Sequence, residues 1–325
     1  MMREIGGYFG LEKYSGPLLH QGEIALNCGR SCLEYLIMLR KIRCIWLPDY
    51  LCSSVTDVCA KCGVTVRYYR IDKGFTPDYK FKMSAGDWLY LVDYFGQLSN
   101  EDIDIAREFC SGKLILDESQ AYYRDPQNVD TLYTCRKWFG VADGAFLHTS
   151  DDCRLTDIRI PQGYSASHMG FVLGRYETSA GDFFEQSKAN NARFANEGLT
   201  RMSSLTSNLL RAINYAEAAS KRRENWSYLN REFGERENRL DLKGGQVPFM
   251  YPLLLGVDVA EIRTRLASKG VFVPTLWPNV LKDGRAGSKA VEYTSCMLLL
   301  PIDQRYDQRD MDYLVTLVRK DLRNE

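Results

Sequence analysis

Between about residues 25 and 150, short β-rich runs alternate with helical patterns, and this alternation constrains the fold more than any other feature of the chain. CIWLP ends in Pro48, SSVTDVCAKCG reads as a helix closed by Gly63, and VTVRYYRID reads as a strand. DWLYLVDYFG and KLILDES are two more strands, separated by the polar helix SNEDIDIAREFC, and GAFLHT follows later. Strands recognised by a period of two, interleaved with helices of period 3.6, build parallel sheets covered on both faces. The expected fold is therefore α/β, with a three-layer large domain on a mainly parallel sheet. Ligands in such sheets bind outside the carboxyl ends of the strands.

The pattern changes beyond residue 200. RMSSLTSNLLRAINYAEAASKRRENWSYLNREF carries one long helical pattern, with Leu205, Leu209, Ile213 and Ala216 recurring on one face. After it come strand VPFMYPLLL, helix DVAEIRTRLASKG, strand VFVPTLW, strand SCMLLLPI and helix QRDMDYLVTLVRKDL, which read as a compact α+β unit. The expected division is residues 1–200 as the large domain, 201–233 as a linking helix and 234–325 as the small domain. The polar stretch 176–200 is the expected mobile region. No internal repeat or low-complexity segment interrupts this organisation.

Composition narrows the partners. Lys plus Arg number 42 and Asp plus Glu number 42, so no net field favours nucleic acid or an anionic membrane. MMREIGGYFGLEKY has no apolar run of signal length, and CMLLLPI is far too short to span a bilayer, so a cytoplasmic chain without membrane insertion is expected. Ten cysteines in 325 residues, without a secretion signal, read as free and mostly buried thiols. Cys59 and Cys62 have metal-like spacing, but no second CxxC or His pair accompanies them, and no metal site is expected.

The segment LYTCRKWFGVADGAF, residues 132–146, raises the chemical question. A lysine between two strand-like runs is either a solvated loop residue or an amine with work to do. LNCGRSCLEYLI places Gly29, Arg30 and Ser31 at a helix opening, where free N–H groups and the helix dipole favour a phosphate. The same three residues also read as a plain helix start. In LILDESQAYY an apolar strand ends in Asp117, at the edge where ligands bind, although such an Asp also caps turns. A phosphate cradle, a strand-end carboxylate and a later lysine are together the parts that pyridoxal phosphate chemistry requires.

These stretches resemble the sugar aminotransferase family often called DegT/DnrJ/StrS, of the fold type I aminotransferase architecture. CGRSCL at 28–33 is similar to the family's SGTAAL, and Pro48 through Gly63 fits its P(x)14G unit. DYFGQ at 93–97 is similar to HLYGQ, LDESQA at 116–121 to EDAAQA, and Lys137 through Ala145 to KNLTTGEGG, with Asp143 for the Glu and Gly144 for the first closing Gly. The resemblance covers roughly residues 23–320.

It implies that Lys137 forms the Schiff base with pyridoxal 5'-phosphate and shuttles the proton, that Asp117 pairs with the pyridine nitrogen, and that Gln120 lies near the phenolic oxygen. Gly29, Arg30 and Ser31 are implied as phosphate contacts. Thr275 and Trp277, in VFVPTLWP, are implied on the substrate side. Three positions depart from the pattern. Cys52 stands where the family stacks an aromatic on the ring, with Tyr50 two residues away as a substitute. Leu132 replaces a phosphate-binding Ser, which leaves that contact to Thr131 or Thr134. LTRM at 199–202 replaces the NYRM that reaches into the partner subunit's site.

The implied activity is transfer of an amino group from an amino acid to a nucleotide-linked keto sugar, in cell-surface polysaccharide or secondary-metabolite biosynthesis, by a homodimer. The alternative is a catalytically altered or inactive protein of the same fold with a regulatory or scaffold role. A related sugar dehydratase lacks the Schiff-base lysine, so Lys137 counts against that class.

Overall fold

The computed structural model describes residues 5–323, so the outermost ends of the expected domains, residues 1–4 and 324–325, lie outside the described residues. The first half contains β1 (Ile24–Leu26), α1 (Gly29–Arg40), β2 (Cys44–Pro48), α2 (Ser53–Lys61), β3 (Thr65–Tyr69) and β4 (Trp88–Val92). Next come α3 (Asn100–Phe109), β5 (Leu114–Asp117), β6 (Asp130–Thr134) and β7 (Ala145–His148). These seven strands form one sheet in the order β1-β7-β6-β5-β4-β2-β3. From β6 to β3 every pairing is parallel, and β7 alone runs against its neighbours. Within the parallel run β2, β4 and β5 are short, mostly apolar and buried, as strands covered on both faces must be, whereas the edge strand β3 alternates exposed with partly buried positions.

The chain leaves β2 outward to β3 and then crosses back to β4. The order therefore reverses between β2 and β4, and it is at such a reversal that open α/β sheets hold their ligand crevice, outside the strands' carboxyl ends. β2 delivers Asp49 to Cys52 to that crevice, β4 delivers Asp93 to Gln97, and β5 delivers Asp117 to Gln120. DWLYLVDYFG stops pairing at Val92, because Tyr94–Gly96 turn through a 3-10 helix in which Phe95 (φ 58°) and Gly96 (φ 72°) are left-handed.

The second half contains α4 (Gly170–Glu177), α5 (Phe184–Arg193), α6 (Ser204–Leu210), α7 (Tyr215–Phe233), β8 (Tyr251–Leu254), α8 (Ala260–Ser268), α9 (Ser288–Cys296), β9 (Met297–Leu300) and α10 (Gln308–Leu322). α5 lies inside the polar stretch 176–200. β8 and β9 pair antiparallel, and α8 and α10 close a separate core with Leu229 and Phe233 of α7. In α10 Met311, Leu314, Val315 and Val318 are buried at one-turn spacing, and Asp307 and Asp310 form a capping box at its start.

Two expectations fail. The helix expected over 201–233 is two helices, because Asn214 leaves helical geometry (ψ 88°) and its side chain accepts the Glu217 N–H to start α7 afresh. VFVPTLW carries no strand. Pro274 has no N–H to give a ladder, and the Val271 N–H is already spent on the Leu266 carbonyl at the end of α8. Among the described residues, no helix is long and apolar enough to cross a membrane and no group of three ligating side chains is placed for a metal. All ten cysteines are free, and Cys153 is the exposed one.

Candidate active site

β6 runs into a 3-10 turn, Cys135–Lys137, and the turn sets Lys137 just beyond the carboxyl end of β6, at the same sheet edge as Asp117. Its position is fixed through Trp138. The indole N–H donates to the Ser119 carbonyl at 3.0 Å, and the Ser119 N–H donates to Asp117 Oδ1 at 2.8 Å. The Trp138 carbonyl accepts from Gln304 Nε2 at 3.0 Å and from the buried guanidinium of Arg222, which also stacks on the indole 4.4 Å from its centroid. The lysine turn and the Asp117 turn are thereby tied together.

Lys137 keeps solvent exposure while lying close enough to protein to be partly desolvated. Burial holds its ammonium below the usual lysine range; the negative potential of Asp117 and then of Cys52 opposes the shift, and the cation of Arg136 adds to it. Lys137 Nζ has no hydrogen-bond or ion-pair partner among the described residues, and its recorded neighbour is the Phe249 ring, 6.0 Å from the centroid. An amine so placed spends more time neutral and nucleophilic than a surface lysine.

Asp117 is buried, pairs in register with Val92 and Leu132, and accepts the Tyr90 hydroxyl on Oδ2 at 2.8 Å. Gln120 accepts the Phe95 N–H on Oε1 at 3.0 Å, which leaves its buried amide nitrogen unpartnered. Behind this front, Asp93, Glu118 and Arg124 form a fully buried cluster, with Arg124 bridging the carboxylates at 3.1 and 3.2 Å. Burial raises both carboxyls, Glu118 well above the usual range, against the opposing pull of Arg124. The cluster braces the β4 and β5 exits.

The helix-opening residues divide. The N-terminus of α1 begins at Gly29, where a Cβ would lie 2.8 Å from Thr134 Cγ2, so only glycine lets the helix approach the end of β6 this closely. Thr134 is 9% exposed and its hydroxyl is unpartnered, whereas the Thr131 hydroxyl is spent on the Val129 carbonyl at 2.8 Å. Of the two candidates, Thr134 is therefore the one free to bind. Ser31 is buried and its hydroxyl donates to the Gly198 carbonyl at 3.4 Å, while Arg30 reaches the Asn191 carbonyl at 3.2 Å.

Cys52, expected beside a cofactor ring, caps α2 and is partly exposed, with Sγ accepting from Ser54 Oγ at 3.2 Å. Tyr50 does not present a ring face to the crevice. It is 0% exposed and packed among Trp277 (4.7 Å), Tyr94 (5.4 Å) and Tyr293 (5.7 Å), behind the wall. Its hydroxyl is buried without a partner. Trp277 closes that aromatic group on the small-domain side. Thr275 is not brought to Lys137 by any contact, and its hydroxyl is held by Arg263 of α8.

The remaining motif residues are structural. Asp143 accepts the Ser203 N–H and hydroxyl, each at 2.8 Å, and the Thr206 hydroxyl, and so anchors the start of α6. Gly144 (φ 112°) fits beneath Thr206, where a Cβ would lie 2.9 Å from its methyl.

Sequence reasoning passed over Arg136. Its guanidinium stacks on the Phe194 ring at 4.3 Å and donates to Asn191 Oδ1, and its buried Nε has no acceptor. The doublet Arg136–Lys137 and the run NNARF at 190–194 were the available signals.

Solved structures share this fold. The sugar aminotransferase CalS13 from Micromonospora echinospora is 13% identical and aligns over 91% of this chain and 86% of its own, with a TM-score of 0.65. NtdA from Bacillus subtilis, solved with bound cofactor PMP, is 15% identical over 95% of this chain and 78% of its own, with a TM-score of 0.67. A DegT DnrJ EryC1 StrS aminotransferase from Brucella abortus is 13% identical over 91% and 85%, with a TM-score of 0.61. No family description and no curated protein matches the sequence. At such identities the likeness establishes the α/β fold that these aminotransferases share, and function must be argued from the site.

Proposed function

We propose that the chain is a pyridoxal phosphate-dependent aminotransferase, with Lys137 as its catalytic amine. One observation carries this reading. A lysine with no partner among the described residues stands at the carboxyl edge of a parallel sheet, in the field of a strand-end carboxylate, with its pKa lowered by burial. The fit to the cofactor is supported by buried polar atoms that the protein itself leaves unpartnered: Gln120 Nε2 and Thr134 Oγ1. It is supported also by the glycine-only approach of the α1 N-terminus to Thr134. When bound, pyridoxal phosphate supplies an aldehyde for a primary amine and a ring that takes up electrons as a substrate C–H bond breaks.

The roles of the chain's own groups follow. Lys137 Nζ offers the amine, and later accepts and returns the proton at the substrate carbon. Asp117 holds a proton on the ring nitrogen, and the Tyr90 hydroxyl and Ser119 N–H keep that carboxylate oriented. Gln120 Nε2 is the donor available to the ring oxygen. The N–H groups that open α1 at Gly29 to Ser31, with Thr134, hold the phosphate. Cys52 lies beside the ring position. Trp277 belongs to the substrate side, whereas the Arg263 contact assigns Thr275 to bracing α8.

The acceptor in this reading is a nucleotide-linked keto sugar, the donor an amino acid, and the assembly a homodimer in the cytoplasm. The sugar-aminotransferase neighbours support the acceptor class. The single-turnover test is direct: cofactor-loaded protein mixed with glutamate should release about one equivalent of 2-oxo acid per bound cofactor, and Lys137→Ala should release none. Loaded wild-type protein that releases no oxo acid from any amino acid would remove transamination and favour the scaffold alternative.

A further inference from the structure

Three arginines converge on the N-terminus of α1. Arg30 and Arg136 both bond to Asn191, one to its carbonyl at 3.2 Å and the other to its side-chain oxygen. Arg136 and Arg193 stack on the Phe194 ring at 4.3 and 4.1 Å. Arg193 is paired with Glu197, but neither Arg30 nor Arg136 has a carboxylate partner among the described residues. Like charges gathered at the positive end of a helix repel, and burying them costs more unless an anion offsets them. The cost registers on Arg136, whose pKa is pushed down to about 10, chiefly by burial and then by Arg30 and Arg193 against the opposing pull of Cys28.

The unpartnered atoms locate what is missing. Arg136 Nε is buried without an acceptor, Thr134 Oγ1 is buried without a partner, and Thr134 abuts Gly29 at the first turn of α1. A guanidinium N–H, a hydroxyl and the helix N–H groups are together a donor set for a dianionic phosphate.

We infer that Arg136 is a phosphate-binding residue of this chain, with Arg30 adding charge to the site: the residue next to the catalytic lysine neutralises the cofactor's phosphate from within the same chain. The inference rests on the cofactor reading above. A guanidinium locked onto Phe194 and Asn191 is held in place before the ligand arrives, so little side-chain freedom is lost on binding. Placed one residue from Lys137, it ties the orientation of the phosphate to that of the amine through the same 3-10 turn.

The test compares pyridoxal phosphate with pyridoxal, which carries the aldehyde and lacks the phosphate. Affinities for both are measured by titration of the absorption change, in wild-type protein, Arg136→Gln and Arg136→Lys. Expected are a loss of roughly tenfold to a hundredfold in pyridoxal phosphate affinity for Arg136→Gln, no change for pyridoxal, and partial recovery in Arg136→Lys. Inorganic phosphate should compete with pyridoxal phosphate on the wild-type protein, a readout that holds even where a variant fails to fold. Equal affinity of Arg136→Gln and wild type for pyridoxal phosphate, or no competition by phosphate, overturns the inference and leaves the lysine chemistry standing. A wild-type protein that binds neither pyridoxal phosphate nor pyridoxal overturns the cofactor reading itself, and this inference with it.

Discussion

At the scale of single residues, the positions of the lysine and of the strand-end aspartate were readable in advance, because each is set by its place along an element. Asp117 ends an apolar strand, and Lys137 follows another. Arg136 and Arg193 were not readable, because they meet Arg30 only when α1, the lysine turn and α5 pack together. Tyr50 was misjudged for a related reason: a residue two places from the expected ring position turned inward to Trp277 and Tyr293. His20 shows burial acting on a group that no motif marked. Its ring stacks on Tyr133 at 3.8 Å and its Nε2 meets the Tyr122 carbonyl at 2.7 Å. Burial lowers its pKa from 6.5 to about 4, against the smaller opposing pull of that carbonyl, Glu23 and Asp125. Between those values the unfolded chain binds more protons, so stability should fall as pH drops through about 6.5 and level off below about 4. The contribution is about 3 kcal/mol. Urea unfolding across this range should show His20→Phe with a flatter profile than wild type; parallel profiles would remove His20 as the cause.

Secondary-structure elements were legible where their periodicity sufficed. The parallel strands, α2, α3, α8 and α10 stand where their patterns put them, since each buries one face against the sheet or the small core. The elements that failed, the single helix over 201–233 and the strand VFVPTLW, failed at hydrogen bonds rather than at hydrophobic pattern. Asn214 capped a new helix, and the Val271 N–H was taken by α8. Asp143 belongs to the same lesson. Its place in a lysine motif invites a catalytic role, yet its contacts are those of a helix anchor. Asp143→Ala should lower stability by about 2–3 kcal/mol, because the buried Ser203 N–H and two hydroxyls lose their acceptor. Denaturant unfolding checks this, and a change within about 0.5 kcal/mol, the range of an ordinary surface substitution, would contradict the anchor.

For the whole molecule, the fold class followed from strand–helix alternation, while the coupling between its two cores did not. Arg222 of α7 is 1% exposed and donates to the Pro248 and Phe249 carbonyls, to Gln304 beyond β9 and to Trp138 beside Lys137. A sequence shows Arg222 as one more charge on a polar helix. In the fold it joins the segments before β8 and after β9 to the lysine turn, and the Phe249 ring it supports lies 6.0 Å from Lys137 Nζ. The lysine's environment is thus a property of the entire chain, and its reactivity reports on the account as a whole. The most direct measurement is peptide mass mapping after incubation with pyridoxal phosphate and borohydride. A single reduced adduct on the Lys137 peptide, absent from Lys137→Ala, is the expected result; no adduct, or adducts scattered over surface lysines with Lys137 untouched, would contradict it.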